Sequence, residues 1–173
     1  MRNRAVVRTA VLFATAALIL VVVNIQIVGK ERIVQSGTTV LLPLAPRDPR
    51  SLLQGDYMAL RYAMAGDVGD AARAAGVTDG AIVVELGDDN VARFAGLHDG
   101  RPLAARHHLL RFRKRGDTVR LASDAFFFEE GEGASYRDAR YGELRVDADG
   151  AAVLVGLRDA DGMPLVPGSS GQR

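Results

Sequence analysis

The 173-residue chain contains no cysteine and no tryptophan. Without cysteine, the chain cannot form a disulfide framework, a thiolate metal site or a cysteine nucleophile. Aromatic residues make up only 6% of the chain, which indicates a modest hydrophobic core. Lysine occurs only at Lys30 and Lys114, and arginine supplies the other basic side chains. The length predicts one folded domain with an appendage.

The chain also lacks the basic surface that nucleic-acid binding requires. Its formal net charge is +1, and three positive charges, on Arg2, Arg4 and Arg8, lie within the first eight residues. The rest of the chain therefore carries a net charge of −2. This balance argues against nucleic acid as a partner.

The first long apolar run, residues 6–28, predicts a transmembrane helix. It has 23 residues, and no charged side chain occurs between Ala10 and Val23. At about 1.5 Å per residue, a helix of this length covers roughly the 30 Å hydrocarbon core of a bilayer. The arginines before the run place residues 1–5 in the cytoplasm by the positive-inside rule, and the rest of the chain beyond the membrane.

A cleaved signal peptide is the competing interpretation of this run. Ala14-Thr15-Ala16 has the small-x-small pattern of a cleavage site, but the apolar run continues well beyond it. No such pattern occurs after Val28, where the sequence is Gly29-Lys30-Glu31-Arg32. We therefore expect an uncleaved anchor, a folded domain over residues 29–166 and a disordered tail over residues 167–173.

Period-two alternation and turn signals after the apolar run predict a mainly β domain of about eight strands. The predicted strands are residues 38–44, 57–64, 80–86, 91–95, 107–113, 118–122, 142–147 and 151–158. Residues 66–75 are predicted as a short helix or a loop, with Asp67 as the helix N-cap. Residues 134–140 are predicted as a helical turn, so the domain is α+β at most.

One octapeptide, Gly55 to Tyr62, joins a predicted turn to an amphipathic strand. Gly55 reaches positive φ and Asp56 can bond its own backbone, so the pair predicts a tight turn. The side chains that follow alternate between two faces of a strand. The apolar face contains Met58, Leu60, Tyr62 and Met64, and the other contains Tyr57, Ala59, Arg61 and Ala63.

This octapeptide resembles the pattern that names the GDYXXLXY family of bacterial proteins. Every fixed position of the pattern is filled, by Gly55, Asp56, Tyr57, Leu60 and Tyr62. Asp48-Pro49-Arg50 and Leu52-Leu53 resemble the family's stretch before the motif. A second typical region is matched by Phe127, Phe128, Glu130, Gly131, Tyr141 and Gly142.

The resemblance implies a place and a class of partner but no reaction, because the family has no established activity. It implies a bacterial inner-membrane protein with a single transmembrane helix and a periplasmic domain. Such proteins tend to be encoded near multi-span membrane proteins, which suggests a multi-span partner for a non-catalytic binding or accessory protein. Small residues in the helix would let a second helix approach closely, but an ordinary lipid-facing anchor is the favoured explanation of them. These residues are Thr9, Ala10, Ala14, Thr15, Ala16 and Ala17.

Two roles are open for the motif residues. Asp56 and Arg61 have side chains that could bind a ligand. In the structural alternative, Asp56 caps the turn, and Tyr57 and Tyr62 pack with their hydroxyl groups bonded to nearby backbone. The structural role is favoured, because a turn followed by aromatic core positions needs no ligand.

No metal or cofactor is predicted. The repeated tetrapeptides Asp147–Gly150 and Asp159–Gly162 begin like calcium loops but lack the later ligands, so they predict turns. His107 and His108 are adjacent on a predicted strand and point to opposite sides, so they do not converge on one metal. The acidic residues Glu129–Glu132 are predicted to lie in a solvated loop, with an acid/base pair as the alternative.

Two further functions are kept as alternatives. An envelope hydrolase resembling type I signal peptidases would use Ser36 as nucleophile and Lys114 as a buried, neutral base. Ser36 is followed by Gly37-Thr38-Thr39 rather than by the Met-x-Pro of that family, and Lys114 lies in a predicted turn. A small-ligand sensor would need a closed apolar pocket inside the β domain.

Overall fold

A computed structural model describes residues 2–46 and 57–168, with the side chains of Arg8 and of Phe13 onwards within the N-terminal helix. Within these residues, a long helix precedes a domain of nine strands, which confirms the mainly β prediction. Helix α1 spans Arg2–Ser36, helix α2 spans Ala65–Ala75, and a 3-10 turn spans Glu132–Tyr136. The strands are β1 Thr38–Pro43, β2 Tyr57–Ala59, β3 Asp79–Leu86, β4 Ala92–Leu97, β5 His107–Arg115, β6 Thr118–Arg120, β7 Ala125–Phe127, β8 Tyr141–Val146 and β9 Ala152–Arg158.

Helix α1 is longer than the predicted span of residues 6–28. It continues to Ser36 because no proline interrupts it and its last polar side chains bond within the helix. The Gln35 amide donates to the Glu31 carboxylate at 2.8 Å, and the Ser36 hydroxyl donates to the Arg32 carbonyl at 2.8 Å. By length and composition, the section Phe13–Ser36 could cross a membrane.

The strands form three antiparallel groups. Strands β1, β8 and β9 form one sheet in the order β1-β8-β9, and β2 pairs with β7. The remaining strands form a second sheet in the order β4-β3-β5-β6. A parallel bridge between Leu41 and Val91, and a hydrogen bond from Arg111 N–H to the Gly150 carbonyl, connect the two sheets.

The core consists of two clusters of buried apolar side chains. The larger cluster lies between the sheets and contains Ile82, Leu110 and Leu144, all fully buried. The smaller cluster contains Met58, Leu60, Tyr136 and Leu157. Leu44 and Leu154 pack against both clusters, so the two are continuous.

Residues 65–75 form helix α2, which resolves the predicted choice between a helix and a loop. The prediction of Asp67 as N-cap was wrong, because the N-cap is Met64. The chain enters the helix directly from the buried Met64, and this places Asp67 in the first turn, where its charge complements the helix dipole. The helix buries Val68 and Ala72 in the larger core cluster.

The two repeated tetrapeptides form turns, as predicted. The Asp147 carboxylate accepts the backbone N–H groups of Asp149 and Ala151 at 3.0 and 2.8 Å. The Asp159 carboxylate accepts those of Asp161 and Met163 in the same way, at 3.0 and 2.9 Å. Each first aspartate therefore uses its carboxylate to hold its own backbone.

The junction between α1 and the domain leaves no room for a side chain at Gly37. A Cβ there would overlap the Ile33 carbonyl oxygen and lie 3.0 Å from the Val146 backbone nitrogen. The Arg145 guanidinium donates to the Gly37 carbonyl at 3.2 Å. The end of α1 is therefore packed directly against the end of β8, whose sheet partner β9 also contacts α1.

Some predictions fall partly or wholly outside the described residues. The turn at Gly55 and Asp56 does so, and so does the family-like stretch 48–53 before it. The predicted tail 167–173 begins with a turn at residues 167–168, and its remaining residues are not described.

Candidate functional site

The described part of the motif, Tyr57–Tyr62, is called the motif segment below. Its predicted alternation is confirmed: Met58, Leu60 and Tyr62 are buried, whereas the three residues between and before them are exposed. The strand prediction was too long, because regular pairing covers only β2, opposite β7. The apolar and polar faces nevertheless continue through the whole segment.

The motif segment keeps its alternation beyond β2 because its backbone changes partners. The Leu60 N–H donates to the carbonyl of Asp124, the residue before β7, at 2.7 Å. The next groups pair with the chain after β1: the Ala45 N–H donates to the Arg61 carbonyl, and the Ala63 N–H donates to the Pro43 carbonyl, both at 2.8 Å. The segment thus joins the β2–β7 pair to the three-stranded sheet.

Tyr62 is a core residue. Only 5% of it is exposed, and its hydroxyl donates to the backbone carbonyl of Ser123 at 3.0 Å. Burial raises the pKa of Tyr62 well above its usual value, and this effect outweighs the lowering by the Ser123 hydrogen bond. This matches the structural alternative for this tyrosine, although the accepting carbonyl is distant in sequence.

Gly142 provides the space that the Tyr62 ring occupies. A Cβ at Gly142 would lie 3.3 Å from Cε1 of Tyr62 and 3.3 Å from a methyl group of Leu154. The glycine at the start of β8 and the last tyrosine of the motif are therefore in direct contact. Two positions of the family-like pattern that are far apart in the chain therefore meet in the fold.

The rest of the buried motif face packs under two aromatic residues of the segment after β6. Met58 and Leu60 share the smaller core cluster with Phe126 and Phe128. Tyr136 lies against these rings, with centroid distances of 5.0 Å to Phe126 and 5.4 Å to Phe128. Burial raises the pKa of the Tyr136 hydroxyl, and the nearby carboxylates of the preceding loop raise it further.

The sequence analysis missed Tyr136 and Ser123. Both act through contacts with residues that are far away in the chain, and neither lies in a periodic segment. The helical turn predicted over residues 134–140 is a 3-10 turn over Glu132–Tyr136, and this turn places the Tyr136 ring inward.

Tyr57, at the other end of the motif segment, lies on the surface. It is 37% exposed, and its ring is 5.9 Å from that of Phe127, which is 74% exposed. The two residues are directly opposite each other in the β2–β7 pair. The motif therefore has one tyrosine in the core and one in an exposed aromatic pair.

Arg61 lines an open cleft beside the motif segment, with a volume of about 260 Å³. The described lining combines apolar residues of the motif segment, Met58 and Leu60, with exposed polar residues after the 3-10 turn, Arg137, Asp138 and Arg140. Three arginines and one aspartate give this motif cleft a net positive charge. It is suited to an acidic or carbonyl group on a binding partner.

The other candidate site residues are not brought together by the described structure. Neither Glu130 nor a histidine is among the described residues lining the motif cleft. His107 and His108 lie on β5, in the four-stranded sheet. In residues 2–46 and 57–168, no three histidine or carboxylate side chains form a group that could hold a metal.

Ser36 and Lys114 are not arranged as a catalytic pair. The Ser36 hydroxyl is bonded to its own helix, through the Arg32 carbonyl. Lys114 lies near the end of β5, where its backbone N–H donates to the Thr78 carbonyl. Within the part of the chain that the structure describes, no hydrogen bond joins the side chains of Ser36 and Lys114.

Comparison with known proteins gives one match. No curated protein and no solved structure matches the chain, and the match is to a protein-family model. The model of the GDYXXLXY family, described as "GDYXXLXY protein", matches residues 19–157, from the middle of α1 to the end of β9. This match includes the motif segment, the Phe126–Phe128 stretch and Gly142. The chain therefore belongs to the GDYXXLXY family.

Proposed function

We propose that this protein is a single-pass bacterial inner-membrane protein whose β domain lies in the periplasm. In this proposal the domain is a non-catalytic binding or accessory subunit of a multi-span membrane protein. The observation that carries the proposal is α1, whose described side chains are exposed and apolar along most of its length.

The exposure of α1 supports a lipid environment for it. Every side chain from Phe13 to Arg32 is exposed, including the large apolar ones from Leu18 to Val23. A helix that is apolar on all sides is stable only when it is surrounded by protein or lipid. No part of the described β domain covers this section, and its length suits a bilayer.

Charges at the two ends of α1 support the proposed orientation. Three arginines lie within the first eight residues, whereas Lys30 and Arg32 follow the apolar run together with Glu31. The positive-inside rule then favours a cytoplasmic N-terminus. The β domain would lie on the opposite side of the membrane.

The motif cleft supports a binding role for the domain. It presents three arginines over an apolar floor, which suits an acidic loop of another protein. The tight junction at Gly37 fixes the direction in which α1 leaves the domain, so a partner of the helix and a partner of the cleft could be one protein.

Site-specific crosslinking in intact bacterial membranes tests the proposal. A photoreactive residue at Arg61 is expected to capture one multi-span membrane protein. The same residue at Asp117, whose side chain is 99% exposed in the turn between β5 and β6, is the matched control and should not capture it. Capture of the same protein from both positions, or from neither, contradicts a specific role of the motif cleft.

Reporter fusions test the placement separately. Alkaline phosphatase fused to the C-terminus is expected to be active, because it folds only outside the cytoplasm. Activity of a cytoplasm-only reporter at that end would contradict the orientation. Mature protein lacking α1 would instead identify residues 6–28 as a cleaved signal peptide.

A further inference from the structure

An exposed aromatic side chain lies close to the end of α1. Phe127 has the largest exposed fraction of any large apolar side chain in the described β domain, at 74%. Its neighbours Phe126 and Phe128 point inward to the smaller core cluster, so the exposure follows from strand alternation. Tyr57 packs beside it and extends the apolar surface.

Lys30 of α1 and Phe127 line the same open cavity, which has a volume of about 440 Å³. Strand β9 contributes Ala152, Val153 and Leu154 to the lining of this cavity. Lys30 follows Val28, the last residue of the apolar run, by two positions, or about 3 Å along a helix. Phe127 is therefore near the level at which α1 would leave the hydrocarbon core.

The residue types at this level suit the membrane–water interface. Aromatic side chains are enriched there, because their rings tolerate both the hydrocarbon edge and the headgroups. A lysine at the end of a transmembrane helix extends its ammonium group to the lipid phosphates. In water, the exposed ring of Phe127 would lack the favourable surroundings that the membrane–water interface gives to aromatic side chains.

We propose that the surface formed by Phe127, Tyr57 and Lys30 inserts into the phospholipid headgroup layer of the membrane that α1 crosses. This inference rests on the proposed membrane span of α1. The domain then has two attachments to the membrane, the junction at Gly37 and this surface. Together they restrict its rotation about the helix, which holds the motif cleft in a fixed orientation.

The absence of tryptophan from the chain allows the depth of each position to be measured. Three single-tryptophan variants of the full chain are reconstituted alone into vesicles of phosphatidylcholine and phosphatidylglycerol. Phe127→Trp probes the proposed surface, and Val21→Trp, at 56% exposed, probes the middle of α1. The readout is fluorescence quenching by phosphatidylcholine brominated either near the headgroup or near the chain ends.

Met163→Trp is the matched control on the domain surface. Met163 is 61% exposed and follows the end of β9 that is remote from α1. Residues Ala152 and Arg158 at the two ends of β9 are about 20 Å apart at roughly 3.3 Å per residue. The tryptophan of Met163→Trp should keep its fluorescence with every brominated lipid and lose its fluorescence with a water-soluble quencher.

We expect Phe127→Trp to lose most fluorescence with the lipid brominated near the headgroup. Val21→Trp should lose most fluorescence with the lipid brominated near the chain ends. If Val21→Trp is quenched by lipid and Phe127→Trp behaves like Met163→Trp, α1 spans the membrane and the surface contact is wrong. If neither is quenched by lipid, the membrane span itself is wrong. Protection of Phe127→Trp only in native membranes would assign the surface to a protein partner and overturn the proposal.

Discussion

The two tyrosines of the motif occupy opposite environments. Tyr62 is buried in the larger core cluster, with its hydroxyl bonded to Ser123 and its ring against Gly142. Tyr57, five residues earlier, is partly exposed and lies beside the exposed ring of Phe127. The same residue type at two fixed positions of one pattern therefore has a structural role at one end and a surface role at the other.

This difference shows how a fixed motif can combine folding and binding. The inward side chains of the motif segment lie in the core clusters, and the backbone of the segment joins β2–β7 to the three-stranded sheet. The outward side chains of Tyr57 and Arg61 are exposed and lie outside both core clusters. The outward face is therefore the accessible face of the motif segment.

Truncation of each tyrosine to alanine should separate the two roles most strongly. Tyr62→Ala leaves a cavity in the core and an unpaired Ser123 carbonyl, so we expect a loss of about 3–5 kcal/mol in the free energy of unfolding. Tyr57→Ala should cost about 1 kcal/mol or less. The measurement is urea unfolding of the full chain in non-ionic detergent, with circular dichroism as the signal. Equal losses would contradict the division.

Gly142→Ala tests the contact that fixes Tyr62. The added Cβ would lie 3.3 Å from the Tyr62 ring, whose hydroxyl is bonded to Ser123, so we expect a loss of about 1–2 kcal/mol from overpacking. Gly156→Ala on β9 is the matched control, since its Cβ would meet only the Glu143 carboxylate at 3.7 Å. A neutral result at both glycines would show that the ring yields.

Tyr62→Phe sharpens the comparison by removing only the hydroxyl. At neutral pH we expect a loss of about 1 kcal/mol, the usual net worth of one hydrogen bond. The effect should reverse with pH. Burial raises the pKa of folded Tyr62, so above pH 10.0, the ordinary tyrosine value, the unfolded chain loses a proton that the folded chain keeps.

The wild-type stability should therefore fall by up to about 1.4 kcal/mol per pH unit above this point through Tyr62, a contribution that Tyr62→Phe lacks. The measurement is urea unfolding of each variant from neutral pH to above pH 10.0. Ser123→Ala is the control and should keep the wild-type slope, because the acceptor of the Tyr62 hydroxyl is the backbone carbonyl. Identical slopes in wild type and Tyr62→Phe would contradict the assignment.

The sequence predicted the face of each motif residue but not its neighbours. Alternation is a local property, so the burial of Met58, Leu60 and Tyr62 followed from the pattern alone. The exchange of backbone partners after β2 depends on where β1 and β7 end, which no local pattern encodes. For the same reason, Ser123 and Tyr136 could not be identified, and the 3-10 turn was only approximate.

The junction at Gly37 gives a second example. Nothing in Ser36-Gly37-Thr38 distinguishes a flexible link from a packed one, and only the position of Val146 decides it. The length of α1 was underestimated because the prediction used the hydrophobic run, whereas polar residues after Val28 continue the helix through their own hydrogen bonds.

The smallest expected effect is the coupling energy of two aromatic contacts, one on each face of β7. Double-mutant cycles to alanine measure the coupling of Tyr57 with Phe127, and of Tyr136 with Phe126. The exposed pair has a centroid distance of 5.9 Å and should couple by about 0.5 kcal/mol, the lower end for aromatic pairs. The buried edge-to-face pair, at 5.0 Å, should couple by about 1 kcal/mol or more.

The measurement is again urea unfolding in detergent, with the Phe128–Tyr136 pair as a second buried reference. Detergent matters here, because a bilayer that covers Phe127 would stabilise the folded wild type through lipid contacts as well. An exposed pair that couples as strongly as the buried pairs would mean that Tyr57 and Phe127 serve the fold. The outward face would then retain only Arg61 as a residue that the domain does not need for its own stability.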